Sequence, residues 1–521
     1  MAVIDFFDRG RAINPTGVAY RCDDEVWTFD DAAALSCRIA HALLGAGIRR
    51  ESKVAVLSPN SARAWICVLG AWRAGAAWVP LNPANPVREN VRLLRRFDVE
   101  VLFYHPELAD QVEEMKFASP GVGVYVALAA GADDAALTEW TAGRPDTPPP
   151  VRFAMDDVVA VAPTGGTTGE PKGVMHTHRN LSAMVAHQMM ALTYPAGAPV
   201  VNLAAAPMTH TAGLFSLQTT ARGGQVVIVP RATPEYVLDA VERHGVTELF
   251  LPPTVVYRLL ETLDQRTADT SSLRYLVYGA APMSTEKLRA GIKRLGPVFL
   301  GGYGQMEAPA AISFLRPDEH LADGDPAPDT RLSSCGRPYP LATVAILGDD
   351  GAELEPGATG EICVRGDLVM KGYYKDPART AETVVDGWLH TGDLGHRDAE
   401  GYLHLTDRKK DLIITGGFNV YPSEVEQVIW GHPAVRDCAV VGAPHPDWGE
   451  AVTAVVERNT GHDVAEAELI ALCREELGPV RAPKQVVFVE QLPRSGNGKV
   501  LKREVRDAFR AGRYTRTQGA S

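Results

Sequence analysis

VVAVAPTGGTTGEPKG (158–173) sets a run of small and apolar residues directly before a loop of glycines, threonines and a lysine. The apolar half reads as a buried strand. The polar half offers backbone N–H groups, hydroxyls and one cation, which is what a polyphosphate needs. Open α/β sheets bind ligands beyond the carboxyl ends of their strands, so this one stretch points to such a sheet. The G-x-x-x-x-G-K-[ST] phosphate loop is not met, because Pro171 precedes Lys172 and Gly173 follows it.

Outward from that loop the same alternation continues. KVAVLS (53–58), QVVIVP (225–230) and LRYLVYGAAPM (273–283) read as strands running into loops. Trp65, Val68, Leu69 and Trp72 fall on one helical face. The Ala/Gly/Pro-rich stretch 129–150 and RPDEHLADGDPAPDTR (316–331) read as surface connections. After about residue 408 the texture changes. A charged cluster, a short strand, two glycines and a helix begin DRKKDLIITGGFNVYPSEVEQVI, and CAVVGAP, AVTAVVE and QVVFVE supply further strands. The expected fold is α/β: a large N-terminal domain of layered subdomains (1–409) and a small, mobile α+β C-terminal domain (410–521). The tail AGRYTRTQGAS (511–521) is expected to be disordered.

Bulk properties narrow the function. The 521 residues suffice for several domain-sized units, and 45% hydrophobic with 22% charged residues is ordinary for a globular chain. A net charge of −12 argues against a nucleic-acid partner. Seven dispersed cysteines without a C-x-x-C pair argue for reduced thiols, against a disulfide frame or zinc site. The start, MAVIDFFDRG, lacks a signal-peptide pattern and no run reaches a membrane span, so a cytoplasmic enzyme is expected.

Singly, the remaining glycine-rich segments are ordinary turns. In order, TGGTTGEPKG, PMTHTAG, YGAAPM, GYGQME, GEICVRGDLVMKGYY, GWLHTGD, DRKKDLIITGGFNVYPSEVE and PRSGNGK span nearly the whole chain. This series resembles the acyl-adenylate-forming superfamily, and within it the AMP-forming acyl-CoA synthetases. The resemblance implies that a carboxylate attacks the α-phosphate of ATP and pyrophosphate leaves. A thiol, usually of coenzyme A, then displaces AMP.

By the same resemblance, Thr164, Gly165, Gly166, Thr167, Thr168, Gly169 and Lys172 clamp the β- and γ-phosphates. Glu307 matches the carboxylate that binds Mg²⁺. Tyr303 matches the aromatic stacked on adenine, beside the backbone of Gly279, Ala280, Ala281 and Pro282, with Gly304 and Met306 in the same nucleotide site. Asp393 matches the ribose acceptor, and Arg408 a further ribose or phosphate contact. Lys499 matches the lysine that bridges carboxylate and α-phosphate. Lys410 falls at the hinge about which the small domain turns, and Gly416 and Gly417 line the pantetheine path. His210 gates an acyl pocket formed with Thr211, Ala212, Gly213, Tyr278, Ala280, Gly301 and Gly302.

One position departs from the family. Met306 stands where a threonine usually supplies a hydroxyl to the α-phosphate, and losing one such donor costs about 10²–10³ in rate if nothing compensates. Amino-acid-activating relatives carry an F-D-x-S motif, and VTELFLPPTVVYRLL (246–260) has none, which argues against an α-amino acid. The pocket segments are small and apolar, which implies a hydrophobic acid, and Ala212, Gly213, Ala280 and Gly301 suggest room for a bulky one. The alternatives are an enzyme that loads a carrier protein's phosphopantetheine arm and a binding protein that has lost catalysis.

Overall fold

The structure, a computed structural model, describes all residues except 132–133, 165–170, 210, 447, 460, 495–499, 512 and 514–521, and leaves undescribed the side chains of 310, 311 and 510. Two large sheets frame the N-terminal part. The seven-stranded sheet runs Gly372–Tyr373, Lys172–Thr177, Val158–Thr164, Ala77–Pro80, Lys53–Leu57, Val99–Tyr104, Val124–Ala127. The nine-stranded sheet runs from Arg337–Pro338 through Ala308–Leu315, Phe299–Gln305, Tyr275–Gly279 and Glu248–Leu251 to the edge strand Glu25–Thr28. Neighbours inside each sheet are mostly parallel, which suits strands such as Lys53–Leu57 whose residues are buried on both faces.

The helix Ala62–Arg73 touches strands of both sheets, which explains why it is buried nearly all round rather than along one stripe. Trp65, Trp72 and Trp78 meet edge-to-face at 5.5–6.3 Å, and the Trp72 indole donates to the Val159 carbonyl at 2.9 Å, locking this helix to the strand that carries the glycine loop. Arg73 is drawn into this interior because Asp8 pairs its guanidinium and Ser36 accepts from its Nε at 2.8 Å.

A five-stranded antiparallel sheet follows, built from Ala342–Leu347, Gly360–Gly366, Val384–Val385, Trp388–Arg397 and Leu403–Arg408. The chain then passes through 409–412 into a last sheet of Ile413–Thr415, Phe418–Val420, Val435–His445, Gly449–Arg458 and Gln485–Val489. Ile413, Val425, Ile429, Val440, Val452 and Val486 close a core of their own. This part rests on the preceding one through the helix Pro422–Trp430, where Ser423 N–H donates to Asp407 Oδ2 at 2.9 Å and Gln427 donates to the Met283 carbonyl at 3.2 Å.

Two connections differ from the sequence reading. Segment 316–331 is not plain loop: it holds the 3₁₀ turn Pro317–His320, a two-residue strand pair and the short helix Asp329–Leu332. Its order comes from buried polar anchors, Glu319 to Arg337 at 2.8 Å and His320 to Tyr278 at 2.9 Å, which a proline- and aspartate-rich composition hides. Segment 129–150 contains the short helix Leu137–Trp140, with Leu137 buried. Most of the tail lies outside the described residues. All seven cysteines are free. Among the described residues no helix is long and apolar enough to cross a membrane.

Candidate active site

Strand Val158–Thr164 turns back as Lys172–Thr177 in antiparallel register, with Thr164 opposite Lys172. These two residues therefore stand at the mouth of the glycine loop. Gly165, Gly166, Thr167, Thr168 and Gly169 lie outside the described residues. On the far side of the returning strand, Tyr373 pairs with Val174, and Lys172 Nζ sits 5.0 Å from the centre of the Tyr373 ring. The Tyr373 hydroxyl donates to Glu307 Oε1 at 2.7 Å. Burial, and then the Glu307 carboxylate, push the Tyr373 phenol well above its ordinary range, so it stays a donor.

Glu307 is fixed by local geometry. Strands Phe299–Gln305 and Ala308–Leu315 pair with Gln305 opposite Ala308, which leaves Met306 and Glu307 as a two-residue turn at the sheet's end. The Glu307 carbonyl accepts from Met370 N–H at 2.9 Å. Met306 is half-buried and packs against the main core.

A second cluster forms around Tyr303, on the strand Phe299–Gln305. Tyr303 donates through its hydroxyl to Asp393 Oδ2 at 2.8 Å, and Arg408 Nε lies 3.1 Å from Asp393 Oδ1. Asp393 and Arg408 are register partners on adjacent strands, so the sheet itself sets this ion pair. Thr391 Oγ accepts from Asp393 N–H at 3.1 Å. Burial and the adjacent Asp393 carboxylate raise Tyr303 well above an ordinary phenol. The tyrosine thus holds a buried carboxylate by its edge and keeps its ring fixed.

Strand Tyr275–Gly279 ends beside the strand that carries Tyr303, with Gly279 paired to Gly302. Beyond it Ala280 takes a left-handed conformation (φ +66°), unusual for a residue with a side chain and a sign that the loop's backbone shape is held by its surroundings. Ala281 and Pro282 continue the loop, and Gly304 lies half-buried on the strand between Tyr303 and Gln305.

The acyl-pocket residues are only partly gathered. Thr211, Ala212 and Gly213 open the helix Thr211–Thr220. Tyr278 is buried in the core, its hydroxyl 2.9 Å from His320 Nε2 and its ring edge-on to Phe299. The small residues do not all signal open space. A Cβ on Gly213 would lie 2.2 Å from the Met208 carbonyl oxygen and 2.3 Å from the Trp65 ring, and one on Gly301 would lie 2.8 Å from the Tyr278 hydroxyl. At these two positions smallness serves close packing rather than room for a bulky acid. Gly302 is half-buried, with the Phe314 ring 3.3 Å from where its Cβ would be.

His210 and Lys499 lie outside the described residues, the latter in 495–499 between the paired residues Arg494 and Val500. Lys410 is exposed in the link between the last two sheets, and its carbonyl accepts from Arg506 at 3.2 Å. Gly416 and Gly417 make the exposed turn between Ile413–Thr415 and Phe418–Val420, at φ +56° and +82°. Tyr373 and Thr391 are the polar residues that the sequence reading passed over. Both sit inside quoted motifs, but their partners become visible only through strand pairing.

The model of the AMP-binding enzyme family matches residues 7–374, and that of the AMP-binding enzyme C-terminal domain matches 424–499. The chain belongs to the AMP-binding enzyme family. The enzyme is 36% identical over 488 residues to a medium/long-chain-fatty-acid–CoA ligase of Mycobacterium tuberculosis, covering 89% of this chain and 82% of that one. It is 37% identical over 503 residues to a feruloyl-CoA synthase of Amycolatopsis, covering 96% and 98%. Among solved structures it matches an amide bond synthetase from Marinactinospora thermotolerans at a TM-score of 0.88 and 35% identity, covering 97% and 100%. That likeness fits the mixed α/β architecture with its large first and smaller last part.

Proposed function

We propose that this enzyme uses ATP to convert a hydrophobic carboxylic acid to its acyl-adenylate and then transfers the acyl group to coenzyme A, releasing AMP. The observation that carries this reading is the continuous contact from Lys172 through Tyr373 to Glu307 at the mouth of the glycine loop, in a chain similar throughout to a CoA ligase and a CoA synthase. Charge that builds on departing pyrophosphate needs fixed cations and donors rather than a covalent nucleophile. Thr164 and Lys172, paired at the mouth of the glycine loop, would supply such donors. Glu307, an oxygen ligand at the sheet's end, suits a hard cation, and Mg²⁺ bound there would neutralise phosphate oxygens.

In this reading Asp393 accepts from the ribose hydroxyls, with Tyr303 and Arg408 holding the carboxylate in place, and the backbone of 279–282 borders the adenine. Lys499 brings the positive charge that joins acid and α-phosphate. The division at 409/410 falls in the link between two sheets with separate cores, which supports rotation about Lys410 between the half-reactions. That movement would carry the exposed turn at Gly416 and Gly417 to the thiol path. Seven free cysteines suit a reducing compartment, which supports a cytoplasmic location.

Acid-dependent exchange of pyrophosphate into ATP, screened over fatty and aryl acids, tests the first half-reaction. Exchange with at least one hydrophobic acid is expected, and none over the panel would refute the reading. Exchange without any thioester from free coenzyme A would point instead to a carrier-protein acceptor.

A further inference from the structure

Glu361 and Cys363 lie two residues apart on the strand Gly360–Gly366, and so share one face. His390, on the antiparallel neighbour Trp388–Arg397, is the register partner of Cys363, which brings its ring to that face. Cys363 Sγ is 3.5 Å from His390 Nδ1, and the same nitrogen is 3.2 Å from Glu361 Oε2. The three donor atoms all lie within 4.8 Å of one another. One imidazole nitrogen thus faces both a thiol and a carboxylate, and each of the three can present a lone pair to the same point once deprotonated. A cation where the three lone pairs meet serves all.

We propose that Glu361, Cys363 and His390 form a binding site for a zinc-type divalent cation, distinct from the nucleotide's Mg²⁺ at Glu307. Zinc lies about 2.3 Å from sulfur and about 2.0–2.1 Å from nitrogen or oxygen, so tetrahedral edges measure about 3.5 Å for S···N and about 3.3 Å for N···O. The observed 3.5 and 3.2 Å already fit. Turning the Glu361 side chain closes the third edge. That carboxylate now accepts from Gly392 N–H at 2.9 Å and lies 3.9 Å from Lys409 Nζ, so the cation competes with Lys409 for it. A sulfur, a nitrogen and an oxygen ligand select zinc over magnesium.

Access fits as well. Cys363 is buried, whereas His390 and Glu361 keep 29% and 16% of their side chains exposed, which leaves a fourth position for water on the solvent side. Zinc binds the thiolate, so binding must release the Cys363 proton to solvent as the metal–sulfur bond forms. The site braces the strand that carries Asp393 and abuts Lys409, next to the link at Lys410. The dispersed cysteines contain no zinc spacing because strand pairing, rather than sequence proximity, assembles these ligands.

The full chain, stripped with a chelator, is titrated with Co²⁺ alone and then with Zn²⁺ against a chromogenic competitor. Expected is a thiolate-to-cobalt charge-transfer band that zinc abolishes, absent in Cys363→Ser, with zinc affinity at least about 10-fold weaker in His390→Ala. Cation bound at Glu307 has no sulfur ligand and gives no such band. No band in the wild type, or its survival in Cys363→Ser, overturns the proposal. Should either variant fail to fold, Glu361→Gln keeps the side chain's size, and unchanged zinc affinity in it overturns the proposal too.

Discussion

Tyr373 Oη donates to Glu307 Oε1 at 2.7 Å across 66 positions of sequence, and this bond joins the edge of the seven-stranded sheet to the end of the nine-stranded one. The carboxylate proposed to bind Mg²⁺ is therefore held by a residue of the sheet that carries the glycine loop. Hydrogen bonds to charged groups are worth about 1.5–3 kcal/mol. Tyr373→Phe is expected to raise the Mg²⁺ concentration for half-maximal adenylation about 10-fold while the fold persists. Magnesium titration of pyrophosphate release checks it, and an unchanged requirement would remove Tyr373 from the site.

Asp393 is almost wholly buried between Tyr303 and Arg408. Asp393→Asn keeps its shape but loses the charge that pairs Arg408 and accepts two hydroxyls. KM for ATP should rise at least about 10-fold, with KM for the acid little changed. Tyr303→Phe should shift it in the same direction by less. Equal effects on both substrates would mean a general collapse of the site.

Met306 packs against the core beside Glu307 and can donate no hydrogen bond. Met306→Thr should hold or raise the adenylation rate, since it restores a hydroxyl at the turn. A large drop in pyrophosphate exchange would show that the methionine's packing, not a lost donor, governs this position.

Lys499→Ala should abolish adenylation yet spare thioester formation from supplied acyl-adenylate. Lys410→Pro should do the reverse, because it stiffens the link between the two parts. Separate assays of the half-reactions decide. Parallel losses in both would contradict a division of labour about residue 410.

His176 is wholly buried, neither ring nitrogen has a partner among the described residues, and burial pushes it down to about 4. The unfolded chain takes up that proton near its ordinary pKa of about 6.5. Its contribution to stability is therefore complete above about pH 6.5, falls with pH, and is lost by about pH 4. His176→Leu should flatten the loss of Tm between pH 7 and pH 5, and melts at both values test this.

The strands were legible because apolar runs such as 54–57 and 158–162 are buried on both faces and tolerate little else. Tyr303, Asp393 and Arg408 were legible as motif positions, but not their mutual contact, which depends on the pairing of Asp393 with Arg408. Tyr373 was invisible as a partner of Glu307 for the same reason. Gly213 and Gly301 misled, because a small residue looks alike in sequence whether it leaves space or fills it. Segment 316–331 hid its order because Glu319 and His320 are anchored by residues far along the chain.

The most direct test of the account is product stoichiometry from the wild-type enzyme with ATP, Mg²⁺, coenzyme A and an acid that supports exchange. The account predicts equal amounts of AMP, pyrophosphate and acyl-CoA. ADP with phosphate, or AMP without thioester, would contradict it.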